Sequence, residues 1–403
     1  MRQHFVVSGR GTSSLELAGY AWRAAIGAYG ASMHNKNLTS LRGLACMTVV
    51  VTHILQLFNL PLLLARNHHG PGSVQRTFVD FITNTFNGQA SVEVFFVLSG
   101  CVLSVSLMKR ATSFEMGWIK PFYIKRVFRI YPALWVSILL VVCLWPIINS
   151  GLGDPAYGPW LTISLPRGMT PLLVGLSLVP AYIHLNAPVW SLRVELLYSV
   201  LFPAIYLLVR NSRTRLPFLA LLLLGAIAPF PRELSLHYAL AFGLGASIPF
   251  SRGIMNFRYR LAGSVAFVAL MYAALLFANP DADIKQVETV DMLISFVVVY
   301  CIHHNRRPLF LENGIFVFLG NISYSVYVLH FPILCAVGAC IVKVFGVPAV
   351  HAQPMLFSLF AGSIAMVIVI PVCALSKRYV EDAGGHIGRR LIEGRRHQGM
   401  SSA

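Results

Sequence analysis

Arg42 and His53 are separated by ten residues in an apolar run that begins at Leu41. Eleven steps of 100° return to nearly the same helical face, and the rise sets the imidazole about 16 Å beyond the guanidinium. A cation at a membrane edge with an imidazole near the midplane suits a ligand whose anionic head stays in water while its reactive end enters the bilayer. Histidine both takes and gives a proton near neutral pH. The same spacing also describes a charged anchor plus a histidine bonded to a neighbouring helix, and spacing alone leaves both readings open.

Three further clusters place polar groups in apolar surroundings, where each costs roughly 2.5 to 3.5 kcal/mol on insertion scales. Ser91 and Glu93 precede Phe95-Phe96-Val97-Leu98-Ser99-Gly100, whose small residues permit close helix approach. Glu93 reads equally as a site or as a solvated interfacial carboxylate. In Lys125-Arg126-Val127-Phe128-Arg129-Ile130-Tyr131-Pro132, Arg126 and Arg129 share a face at i, i+3, as a phosphate clamp or as topology determinants. Ser191, Glu195 and Tyr198 follow i, i+4, i+7 after Trp190, and Ser323, Tyr327 and His330 repeat that spacing. Paired stripes of this kind line a polar cavity or form a structural hydrogen-bond network.

The elements that must carry these residues are membrane helices. Of 403 residues 56% are hydrophobic and 12% charged, which contradicts a water-facing surface. Ten stretches of spanning length follow: Leu41 to Leu64, Ala90 to Met108, Tyr131 to Ser150, Arg193 to Val209, Leu216 to Pro229, Leu234 to Phe250, Tyr259 to Phe277, Val287 to Ile302, Ile315 to Phe345 and Met355 to Leu375. The expected fold is all-α, with about ten transmembrane helices.

Basic residues exceed acidic ones by 32 to 15, and their placement gives the orientation. Lys and Arg concentrate in the N-terminal segment, in the alternate connections that share its side and in the C-terminal tail. The opposite side carries Arg66, Arg76, Arg167, Arg232 and Lys285. Both termini are therefore expected in the cytoplasm. Positive charge spread over separate short loops argues against nucleic acid as a partner. Residues 1–36 read as an N-terminal cytoplasmic segment, with Met33 as the expected start of translation, 37–381 as the transmembrane domain and 382–403 as a basic cytoplasmic tail. Seven single cysteines show no metal-ligand spacing, and no metal is expected.

Taken in order, Arg42-x10-His53, Phe95-Phe96-x-x-Ser99-Gly100, Arg126-x-x-Arg129-Ile130-Tyr131-Pro132, Trp190-Ser191-Leu192-x-x-Glu195-x-x-Tyr198 and Gly320-x-x-Ser323-Tyr324-Ser325-x-Tyr327-x-x-His330 resemble the acyltransferase-3 family of membrane acyltransferases. The resemblance runs from about Leu41 to Glu381, with Cys101 after Gly100 and Tyr131 before Pro132 altering only neighbours of the motif positions. It implies an acyl-CoA donor, acetyl-CoA being the usual one, and a hydroxyl acceptor such as a surface polysaccharide, lipopolysaccharide, lipid-linked glycan or small molecule. It implies a multi-pass protein of the plasma membrane, the inner membrane in a bacterium. Expected partners are the bilayer, the acceptor, and glycan-assembly proteins or a second copy of the chain.

Combining the residues with the resemblance assigns His53 as general base, or as the site of an acyl-histidine intermediate, with Glu195 orienting the proton transfer. Arg42, Arg126, Arg129 and Ser99 are expected at the donor, with Glu93, Trp190, Ser191, Tyr198, Ser323, Tyr327 and His330 at the acceptor. A permease or flippase for a sugar or lipid-linked glycan also needs a polar midplane cavity. It would move its substrate without covalent change.

Overall fold

The computed structural model describes residues 36–58, 85–108, 116–150, 186–228, 236–251, 284–304 and 311–400. Among them all regular structure is helical. The helices are α1 (Lys36–Phe58), α2 (Gly88–Met108), α3 (Ile119–Asn149), α4 (Trp190–Arg210), α5 (Ser212–Ile227) and α6 (Ala239–Ser247). They continue with α7 (Ile284–His304), α8 (Gly314–Phe345), the short α9 (Val347–Ala352), α10 (Pro354–Ser376) and α11 (Asp382–Met400).

Among the described residues seven helices are long and apolar enough to cross a membrane. Helices α5 and α6 match expected spans but, at 16 and 9 residues, fall short of spanning length, and the stretch from Tyr259 to Phe277 lies outside the described residues. The surface confirms the lipid setting. Leu221 is 65% exposed and Val367 77%, whereas Glu93 and His330 are buried at 0% and 1%. Apolar groups outside and ionisable groups inside invert the usual arrangement of a protein in water.

One boundary differs from expectation. Helix α3 begins at Ile119 and not near Tyr131, so Lys120, Lys125, Arg126 and Arg129 are helical. Lys and Arg are good helix formers whose aliphatic stems cover apolar surface, so a hydropathy window stops before the helix does. At the other end, 382–400 of the expected tail is helical. After a π-helical turn at Lys377–Glu381, α11 packs on α3, where Gly384 and Gly388 face Phe128 and Pro132. Lys377 pairs with Asp382 across that turn, and Ser325 of α8 donates to Glu381 at 2.5 Å.

Close crossings fix the bundle. A Cβ at Gly320 would sit 2.0 Å from the Thr39 carbonyl, and one at Gly43 2.5 Å from the Gly320 nitrogen, so α1 and α8 run with their backbones nearly touching. Gly100 of α2 and Gly245 of α6 make a second such contact. Pro332 interrupts α8 and cannot supply the N–H that would bond the carbonyl four residues earlier, Val328. The Asn186 amide donates to that carbonyl at 2.7 Å, which ties the entry of α4 to the middle of α8.

Candidate active site

The α1–α8 crossing puts both residues of the first stripe against α8. Arg42 Nη2 donates to the Gly320 carbonyl at 2.7 Å, and His53 Nδ1 lies 2.9 Å from His330 Nε2. The eleven-residue step on α1 is thus answered by a ten-residue step on α8. Arg42 Nε is buried and has no hydrogen-bond partner.

The two imidazoles stack at 5.2 Å between centroids, and Phe331 meets the His53 ring edge-on. Their geometry sets the hydrogens of the neutral pair. His330 Nδ1 is 2.8 Å from the Val326 carbonyl, which can only accept, so Nδ1 carries the hydrogen and Nε2 accepts. His53 must therefore donate from Nδ1, which leaves its Nε2 with a free lone pair. A histidine held in that tautomer is equipped to abstract a proton or to attack a carbonyl.

A cavity of about 330 Å³ opens at the arginine end of the bundle. Arg42, Lys125, Arg126 and Arg129 line it against one carboxylate, Glu195, so its field favours an anion. The rest of the wall is mostly apolar, with Val92, Phe96, Leu103, Leu107 and Phe122 among its residues. Phe95, Ser191 and Tyr327 stand at the end nearer the histidine pair, while Ser323 shares the Gly320 carbonyl with Arg42. Phe95 and Tyr327 meet edge-to-face at 5.6 Å. The His53–His330 pair lies one turn further along α8, with the Tyr327 and His330 rings 6.4 Å apart, and neither imidazole belongs to the cavity lining. Arg42 and His53 thus share a helix face, while only Arg42 opens into the cavity.

The arginines differ from one another. Arg126 is buried and pairs with Glu195 at 2.6 Å, and its Nε and Nη2 donate to Ser199 Oγ at 2.9 and 2.7 Å. Ser99 Oγ reaches Glu195 Oε1 at 3.4 Å. The sequence did not single out Ser199, although it lies i+4 from Glu195 on the same face. Arg129 is exposed at the cavity mouth and available to an anion.

The two expected stripes do meet. Ser191 Oγ and the Tyr327 hydroxyl are 2.7 Å apart, and Ser323 Oγ donates to the Gly320 carbonyl at 2.8 Å. Tyr198 departs from its stripe: it stacks on Phe242 at 4.7 Å and donates to the Leu236 carbonyl, because at its depth α6 replaces the cavity as the neighbour of α4. Trp190 packs on Phe96 and Tyr238, outside the cavity lining. Glu93 is neither solvated nor in the cavity. It is buried, its carboxylate oxygens have no hydrogen-bond partner among the described residues, and it faces the side of α2 where Gln89 contacts Glu288 of α7.

Asn186 is a second residue that sequence reasoning missed, and Pro332 was its signal, since a proline in a buried helix frees a carbonyl that something must satisfy. Asn186→Ala leaves the Val328 carbonyl unpaired. The expected cost is about 1 to 3 kcal/mol, read as a lower unfolding temperature in detergent. An unchanged unfolding temperature would remove the anchoring role of Asn186.

Comparison with known proteins adds one finding. The model of a family described as an acyltransferase domain, acyltransferase-3, matches residues 35–375. No curated protein and no solved structure matches the chain.

Proposed function

Because this chain belongs to the acyltransferase-3 family and is a membrane acyltransferase, we propose that it moves an acyl group, acetyl above all, from acyl-CoA to a hydroxyl of a glycan. The acceptor is a surface polysaccharide, a lipopolysaccharide or a lipid-linked glycan. The observation that carries this reading is a cavity with guanidinium groups at its mouth, apolar walls, and hydroxyls at its end one turn from a tautomer-fixed histidine pair. A coenzyme A thioester has the matching profile: anionic phosphates, a thin and largely apolar arm, and a reactive carbonyl at the tip.

In this proposal both termini are cytoplasmic and the donor enters from the cytosol. The placement of Lys and Arg supports that orientation. Arg129 and Arg42 meet the phosphates, and Arg126, neutralised by Glu195, holds the wall between α3 and α4. The volume suits the arm and not the nucleotide, which stays at the mouth. The Phe95 ring swings aside as the thioester arrives, and Tyr327 stays in place. His53 Nε2 takes the acceptor's hydroxyl proton as that oxygen attacks the thioester carbonyl. The carbon–sulfur bond then breaks, and His53 returns the proton to the thiolate, releasing coenzyme A and the ester. An acyl-histidine route uses the same nitrogen and adds one transfer.

The test is incubation of the purified protein in lipid nanodiscs with radiolabelled acetyl-CoA and a glycan extract. Label should appear in the glycan fraction with release of free coenzyme A. Glycan movement without label would instead support a permease. Within this assay Arg129→Ala should raise the donor KM about tenfold with little change in kcat, since an exposed phosphate contact contributes equally to ground and transition states. An unchanged KM would remove Arg129 from the donor site.

A further inference from the structure

Ser191, Tyr327 and the Pro188 carbonyl form a closed triangle at the end of the cavity. Ser191 Oγ donates to Pro188 O at 3.1 Å, the Tyr327 hydroxyl lies 3.2 Å from the same carbonyl, and the two hydroxyl oxygens are 2.7 Å apart. Three contacts share two hydrogens, since each hydroxyl has one to give. When Ser191 gives its hydrogen to Tyr327 across the 2.7 Å contact, the hydrogen of Tyr327 is free to turn elsewhere, and the Pro188 carbonyl keeps the Trp190 backbone N–H.

We propose that Tyr327 is a catalytic residue that turns its phenolic hydrogen to the thioester carbonyl oxygen and stabilises the oxyanion formed there. Its position fits the task. The side chain lines the cavity end and is buried at 6% exposure. Its ring packs on Phe95 on one side and lies beside His330 on the other, between the route of the donor and the His53 pair. As the acceptor oxygen attacks, the carbonyl π electrons move onto oxygen and the Tyr327 hydrogen bond strengthens. When the intermediate collapses, those electrons re-form the carbonyl and sulfur leaves with the electron pair of the broken bond. Tyr327 keeps its proton throughout. The phenol thereby supplies the electrophilic half of a site in which His53 is the basic half, at the point where charge develops.

The inference rests on the acyl-CoA reading, and the experiment separates the two. Donor affinity is measured by equilibrium binding of acetyl-CoA in nanodiscs, and kcat by acyl transfer. Tyr327→Phe should lower kcat about 10²-fold, the usual loss for one oxyanion donor, and leave acetyl-CoA affinity within about twofold. Ring-fluorinated tyrosines at position 327 keep the shape and the hydroxyl while making it more acidic, so kcat should change systematically with phenol acidity. A merely structural tyrosine would not respond to that series. The series also decides the matter if the phenylalanine variant misfolds. A kcat insensitive to both changes, or a loss confined to donor affinity, overturns the role of Tyr327. Wild-type protein that binds no acetyl-CoA overturns the donor reading itself.

Discussion

Replacement of His53 by alanine or glutamine is expected to lower kcat for acyl transfer by about 10³-fold while the protein still inserts and binds its donor. The expectation follows from which nitrogen is free. The Val326 carbonyl fixes the hydrogen of His330, His330 fixes that of His53, and the remaining lone pair, on His53 Nε2, is the basic atom of the dyad. Glutamine preserves size and can still bond His330 but has no comparable base, so its loss should nearly equal that of alanine. The check is single-turnover transfer from labelled acetyl-CoA, with donor affinity measured separately. Full activity in either variant would move the chemistry away from this pair.

The second large effect concerns Arg126 and Glu195, where stability and site geometry meet. Glu195→Ala leaves the Arg126 guanidinium buried with Ser199 as its hydrogen-bond acceptor and no counter-charge. Removing one partner of a fully buried pair costs about 3 to 5 kcal/mol, and less here because Glu195 is 21% exposed to the cavity, whereas replacing both by apolar residues of similar volume is often neutral. Glu195→Ala should therefore unfold at markedly lower temperature in detergent, and the double variant Arg126→Met with Glu195→Leu should recover most of the loss. If the single variant unfolds where the wild type does, the pair does not tie α3 to α4.

The stripes on α1, α4 and α8 were legible because helical periodicity fixes which residues share a face. Which face meets which is a different matter. Nothing in the spacing of Arg42 and His53 says that α8 lies against them; the Gly43–Gly320 crossing decides that. The sequence therefore offered Glu195 to the histidine, and the structure gives it to Arg126 and gives His330 to His53. Tyr198 illustrates the same limit within one helix, since a stripe can border the cavity at one depth and α6 at another. The early start of α3 was hidden for another reason: its charged first turns are helical yet polar, and hydropathy registers only their polarity.

The most direct measurement is a cryo-electron microscopy map of the protein in nanodiscs with a thioether analogue of acetyl-CoA that cannot transfer its acyl group. The account predicts density whose phosphates lie against Arg129 and Arg42, whose arm follows the wall of Leu103 and Phe96, and whose carbonyl stands within hydrogen-bond reach of the Tyr327 hydroxyl beside the His53–His330 pair. Density bound elsewhere, or phosphates at the Arg129 mouth with the arm turned away from Tyr327, would contradict it.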